Sequence, residues 1–293
     1  MSDNEKLQLG ANPLQKHFRQ PKIYISLPSK GRWWPEGAIN LPESGEVPVY
    51  PMTAKDEITM RTPDALLNGQ STVDVIQSCI PAIKDAWEMP NIDLDACLVA
   101  IRIASFGERM EVTTKIPNTD LERIHDLDLR TLLDSYNEKE YEDVLKAGDF
   151  LVQIRPMSYR TFTQIALKTF EEQRIIAIVN QDDMDDTKKM EMFNKSFKTL
   201  TEININTIHD SVVAVQYQQE EPVTNRAHLK EFLENADTQI YNSIKSHIEK
   251  LKEKYQTKPI TVETTQEERD AGAPESFTVP VSFDHSSFFG RGS

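Results

Sequence analysis

The sequence predicts an α+β protein, with a small mixed N-terminal domain, a mainly α-helical domain after it and a disordered C-terminal tail. Three observations predict this. Short β-branched runs near the N-terminus, such as KIYISL at 22–27, alternate apolar and polar residues as a half-buried strand does. From Ser158 onward the apolar residues recur every three or four positions instead, the period of a helix. Residues 1–21 and 257–276 are almost wholly polar, too poor in apolar side chains to offset the entropy of ordering. A chain of 293 residues has room for about two domains. The expected division is a flexible arm at 1–21, an α+β domain at 22–156, a helical domain at 157–256, and a flexible tail at 257–293 that ends in an aromatic docking motif.

Taken in order, the strand at 22–27 stops at Pro28. The next segment, LPSKGRWWPEG at 27–37, packs two prolines, two glycines and two tryptophans together, the composition of a structured turn with aromatic anchors. A second strand at 46–50 runs into Pro51 and a helix starting at Thr53, where Asp56 and Glu57 sit in the first turn as the helix dipole favours. A helix is expected over 71–86, with Ser71 as N-cap, Val73, Ile76, Ile80 and Ile83 on one face, and Pro81 kinking or shortening it. Residues 93–106 form another, with Leu94, Cys97, Leu98, Ile101, Ala104 and Ser105 on its buried face and Gly107 closing it. A strand at 110–116 and a helix at 127–136 follow.

The run VQIRPMSYRTF at 152–162 then echoes VPVYPMTAKDEI at 47–58: a strand, Pro-Met-Ser/Thr, a helix. Beyond it, Phe162, Ile165, Ala166 and Phe170 line one helical stripe, and Met190, Phe193, Phe197 and Leu200 a second with heptad-like spacing. Asp182, Asp183, Asp185 and Asp186 separate the two helices and place negative charge at the second one's N-terminus. Residues 212–217 read as a strand. Leu229, Leu233, Ala236, Ile240, Ile244, Ile248, Leu251 and Tyr255 mark a single amphipathic helix of about 45 Å, for which the two preceding helices are the nearest partners.

Charge and motif content narrow the function. With 33 Lys+Arg against 47 Asp+Glu the net charge is −14, which argues against a nucleic-acid or anionic-membrane surface. No apolar run approaches the ~18 residues of a membrane span. The opening MSDNEKLQLGANP has no apolar core behind a basic region, so no secretory signal is expected. Two cysteines, Cys79 and Cys97, make neither a disulfide framework nor a zinc knuckle, and both read as small hydrophobes on helix faces. A soluble, acidic, intracellular protein is the expectation.

Nothing in the chain asks to be an active site. There is no G-x-S-x-G, P-loop, G-x-G-x-x-G or kinase signature. The histidines His17, His125, His209, His228, His247 and His285 share no metal-ligand spacing. QDDMDD lacks the glycine of an EF-hand loop and reads as a helix cap, as do Asp93 and Asp95 in NIDLDA. No catalytic residue, metal or cofactor is therefore expected. Two segments point to protein–protein contact instead. Trp33 and Trp34 are adjacent, so without a sharp backbone turn one packs inward and the other is left as an interface anchor. The tail FTVPVSFDHSSFFGRGS carries four phenylalanines after a polar stretch, a pattern that calls for docking, either on a partner groove or on the chain's own body. The partner-binding candidates are Trp33, Trp34, Phe283, Asp284, Phe288 and Phe289.

Taken together, LPSKGRWWPEG, VPVYPMTAKDEITMRTPDALLNG, VIQSCIP, DLDACLVAIRIASFGERMEV and the terminal FDHSSFF resemble the baseplate (hub) protein family of T-even-like contractile-tailed bacteriophages, over most of 22–136 and the last dozen residues. The resemblance implies a non-enzymatic protein that helps to build the baseplate hub in the host cell cytoplasm, with other hub or tail proteins as partners and self-association through its helices as an option. Some members of that family carry a Cys-x-x-Cys zinc element after the strand at 110–116. Here the stretch reads VTTKIPNTDL, so zinc is not implied. The expected function is an escort or scaffold for hub subunits. The alternatives are a permanent subunit of the virion baseplate and, further off, a cell-wall-degrading enzyme.

Overall fold

The computed structural model describes residues 14, 17–61, 69–181, 185–279 and 288–289 and has the α+β class read from the sequence. Strands β1 (Ile23–Ser26) and β2 (Glu46–Val49) pair antiparallel, with Ile23 opposite Val49, and turn Ile25, Val47 and Val49 into the first core. Helix α1 (Ala54–Met60) begins at a capping box in which the Thr53 hydroxyl accepts from the Asp56 amide and the Asp56 carboxylate accepts from the Thr53 amide. Helix α2 (Gln70–Cys79) is shorter than expected. It starts from Gly69 in the left-handed region (φ +78°), so Ser71 lies inside it and does not cap it. It stops two residues before Pro81, which cannot continue the ladder. A Cβ at position 69 would approach Tyr159 and Thr163 to 3.1 Å, so this crossing needs the glycine for space as well as for its φ.

Helix α3 (Leu94–Phe106) forms the centre of the first core. Every residue from Ala96 to Ala104 is buried, on all sides and not on one face alone, as befits a segment with Arg102 as its one charge in that stretch. Strands β3 (Arg109–Lys115) and β4 (Glu122–Asp128) make a hairpin, and the helix expected from 127 starts later, as α4 (Leu129–Asn137). Asp128 sets that start by accepting from the amides of Arg130 (2.9 Å) and Thr131 (3.2 Å).

A three-stranded antiparallel sheet in the order β5 (Val144–Ala147), β6 (Phe150–Ile154), β7 (Val212–Tyr217) carries the second core and straddles the expected boundary at residue 156. Two long helices, α5 (Tyr159–Gln181) and α6 (Asp186–Ser211), are inserted between β6 and β7. The two copies of the internal repeat have the same order of elements. Each runs from a strand (β2, β6) through Pro-Met to a hydroxyl residue whose oxygen accepts an amide of the following helix, Thr53 from Asp56 and Ser158 from Thr161.

The single helix expected over 229–255 is two helices, α7 (Arg226–Asn235) and α8 (Thr238–Tyr255). The chain is extended at Ala236, and Asp237 caps α8 by accepting from the Gln239 amide at 2.8 Å. Their apolar stripes cover the sheet. Leu229, Leu233, Ile244, Ile248 and Leu251 are buried with Ala147, Val152, Ile154, Val212 and Val215.

Both expected mobile termini are tied down where they are described. Within the arm at 1–21, Arg19 donates to the Pro51 and Ser78 carbonyls (2.6 Å each), to the Ser78 hydroxyl (2.8 Å) and to Asp56 (3.2 Å). In place of a tether, residues 260–279 form β8 (Ile260–Glu263), α9 (Gln266–Asp270) and β9 (Ser276–Val279). Phe277 and Val279 build a third, small core with Ile116 of the β3–β4 turn. Polar side chains supply the rest: a Thr265/Glu268 capping box, and Arg123 donating to the Glu263 carbonyl at 3.0 Å. Among the described residues no helix is long and apolar enough to cross a membrane.

Candidate partner-binding surfaces

The tryptophan turn is built around a buried carboxylate. Asp93 has no exposed surface and accepts three hydrogen bonds from the turn: the Ser29 amide at 2.7 Å, the Ser29 hydroxyl at 2.5 Å and the Trp34 indole N–H at 3.1 Å. Burial pushes its carboxyl up to about 6, against the pull of the Ser29 and Trp34 donors. Asp93 therefore stands where a helix cap is expected but makes no capping hydrogen bond, and serves the turn instead. Asp95, two residues on, does not act as an isolated cap either, because it accepts from the Thr257 hydroxyl at 2.8 Å.

The sharp turn that separates the tryptophans is at Trp33, whose φ is +66°. A bulky aromatic in the left-handed region costs about 1–2 kcal/mol. In return the two rings part. Trp34 goes down to Asp93 and the first core, while Trp33 stands between the Arg32 guanidinium (4.3 Å) and the edge of Tyr141 (4.8 Å), half-buried.

At the other end of the chain, Phe283 and Asp284 lie outside the described residues. Phe288 and Phe289 are placed on the chain's own body. Their rings meet edge to face at 4.9 Å within the first core, 0% and 2% exposed, and the Phe288 carbonyl accepts from Arg102 Nε at 2.8 Å. The Arg102 guanidinium lies over the Phe106 ring at 4.6 Å, and its Nη1 is buried with no hydrogen-bond partner.

Apolar surface is left open along the α5–α6 arm. Both helices are more than twenty residues long, so the arm extends for about 35–40 Å. Phe170 is 57% exposed, Phe197 56% and Met190 62%, and Phe162, Leu167, Ile178 and Ile205 are exposed as well. Phe193 and Phe197 stack along α6 with centroids 6.2 Å apart. The heptad-like stripe is thus only partly covered: Met190 and Phe197 are exposed, Phe193 and Leu200 half-buried. The side of α6 that is buried carries Ser196, Ile203, Thr207, Ile208, His209 and Ser211, and the Thr207 and Ser211 hydroxyls donate back to carbonyls four residues earlier.

A protein-family model described as T4 bacteriophage base plate protein matches residues 22–277, from the start of β1 to β9. The chain belongs to this family. No curated protein and no solved structure matches it. A base plate protein works among other phage tail and base plate proteins, and the second core, the arm, the tryptophan turn and all of the first core except Phe288 and Phe289 lie inside the matched span.

The chemistry of this base plate protein's reactive side chains is subdued. Burial pushes the Cys79 thiol up to about 12 and the Cys97 thiol well up, so both stay protonated. Among the described residues no three His, Cys, Asp or Glu side chains are grouped to hold a metal ion. Sequence reasoning missed Asp93 as the anchor of the turn and Arg102 as the donor that holds the Phe288 carbonyl. The available signal was a charge flanked by apolar residues, Asp93 between Ile92 and Leu94 and Arg102 inside LVAIRIASF.

Proposed function

We propose that this base plate protein acts in the assembly of the baseplate hub by stoichiometric binding, as an escort or scaffold for hub subunits in the host cytoplasm. One observation carries the reading: the α5–α6 arm leaves Phe170, Met190 and Phe197 more than half exposed, an apolar surface that no described residue covers. Each ring covered by a partner would contribute roughly 1.5–3 kcal/mol before ordering costs, enough for a contact that a later subunit can displace. Trp33, half-buried beside the junction of the two cores, belongs to the same proposed binding role.

The test is to infect cells with phage carrying Phe170→Glu with Phe197→Glu and to recover the tagged protein with its companions. Both side chains are exposed, so the variant is expected to melt as the parent does while losing hub proteins from the co-purified set and infectious particles from the lysate. A variant that keeps its companions removes the arm as the contact surface. Mass spectrometry of purified wild-type virions separates the two non-enzymatic roles, because an escort is lost from them and a permanent baseplate subunit is retained.

A further inference from the structure

A cleft of ≈ 350 Å³ opens at the junction of the two cores, beside Trp33. Three arginines line it, Arg155, Arg160 and Arg226, against two carboxylates, Glu88 and Asp210. Arg160 is oriented by Glu88, to which its Nε donates at 3.1 Å, and by the Trp87 face at 5.4 Å. Arg226 reaches the carbonyls of His209 and Val212 at 3.4 Å and comes within 3.9 Å of Asp210. Arg155 is different. Its backbone amide is fixed to the Ser211 carbonyl at 2.9 Å, but its exposed guanidinium has no ion pair or hydrogen bond among the described residues. The cleft thus holds one positive charge in excess within a chain of net charge −14. A smaller cavity of ≈ 140 Å³ adjoins it, apolar toward Ile92, Phe162, Ile248 and Leu251. Arg155, Pro156 and Met157 are the wall common to both.

We propose that this junction binds a short acidic peptide segment of a partner protein, with a carboxylate on Arg155 and a neighbouring bulky apolar side chain in the cavity behind Met157. A guanidinium fork matches a carboxylate with two parallel hydrogen bonds, and among the described residues none competes for it. Trp33 is a fixed aromatic wall, clamped by Arg32 and Tyr141, so little side-chain entropy is lost when a ligand packs on it. A long polyanion such as nucleic acid would bring its charge against the whole acidic surface. A peptide with one carboxylate and an apolar handle gains its contacts inside the cleft, within a Debye length of about 8 Å. The proposal rests on the reading that the chain binds proteins and shares Trp33 and Phe162 with the surfaces described above, whereas Phe170 and Phe197 of the arm lie outside both cavities.

The experiment uses the full chain and an array of short synthetic peptides in which Asp or Glu adjoins Phe or Leu, beside the same peptides with Asn or Gln. Acidic members are expected to bind and their amide counterparts not to. Arg155→Glu should weaken binding at least about tenfold and leave the melting temperature unchanged, since the side chain is exposed and unpaired. Trp33→Leu should also weaken it, and Phe170→Glu on the arm should have no effect. The proposal is overturned if no member binds, if acid and amide members bind alike, or if Arg155→Glu changes nothing. An oligothymidine that binds more tightly than any peptide and depends on Arg155 would assign the cleft to phosphate and likewise overturn it.

Discussion

Asp93 shows how one buried charge organises a functional loop. Its carboxylate accepts from Ser29 and Trp34 and so fixes the segment that displays Trp33 on the opposite side. The folded chain holds the Asp93 proton more tightly than the unfolded chain does, because burial raises its carboxyl from 3.8 to about 6. Between those two values the folded state binds more protons, so this group makes folding less favourable as pH rises through that window and adds nothing further above it. The prediction is a comparison with Asp93→Asn by urea unfolding. As pH falls from neutral to acid, the parent should gain stability relative to the variant, with the change centred below about pH 6. At neutral pH the variant should be about 1–3 kcal/mol less stable, since an amide cannot replace every hydrogen bond the carboxylate accepts. A difference that stays flat with pH would mean that the carboxyl titrates outside this window.

Elements with a strong apolar period were legible from the sequence, and those held by local polar chemistry were not. The stripe through α7 and α8 was read correctly, but Leu233, Ala236 and Ile240 keep helical spacing straight across the break, so periodicity passes over it. Only Asp237, capping Gln239, marks the interruption. Strand β4 is not legible, and its last two residues fall in the helix expected from 127, because ERIHDLD spaces its two apolar residues three apart instead of alternating. The β8–β9 hairpin escaped because its small core borrows Ile116 from a distant turn. On the arm, the spacing of Met190, Phe193, Phe197 and Leu200 gave the stripe but not its occupant, since a period is the same whether the partner is in the chain or outside it. Two substitutions test the element-scale account by thermal and urea unfolding. Asp237→Ala should cost about 1 kcal/mol, the ordinary worth of an N-cap. Ile244→Asp should abolish the folding of the second core, because it sets an unpaired charge at a position with 0% exposure, a penalty of several kcal/mol. An Ile244→Asp chain that melts like the parent would place the α8 stripe outside the core.

At the scale of the whole molecule, the first core is closed by the last residues of the chain. Arg102 and the Phe288 carbonyl are 186 positions apart, and between them the chain lays down the sheet, the arm and the small third core. The sequence showed that the terminal phenylalanines must dock but left two destinations open. Composition cannot decide between them, because the groove that receives the rings is made from α3 residues whose burial on all sides is visible only in three dimensions. Among the described residues no three metal-binding side chains are grouped, so EDTA is expected to leave the melting temperature unchanged, and a lowered one would reveal a bound ion. Deleting residues 288–293 should do the opposite. Removing a large aromatic from a packed core costs about 3–5 kcal/mol. Here two rings leave together, and Arg102 loses the carbonyl that its Nε bonds, with its Nη1 already unpaired. Net stabilities are typically only about 5–15 kcal/mol, so the truncated chain should melt far lower or fail to fold. Restoring Phe288 and Phe289 alone should recover most of the loss. The closure also sets an order of events. The first core cannot be complete until Phe288 and Phe289 have left the ribosome, so protease-resistant first core should appear on chains that have exposed both rings and not on stalled chains ending at Val279. Resistance already present on the stalled chains, together with an unchanged melting temperature after truncation, would show that the rings are guests in the first core and not part of what holds it together.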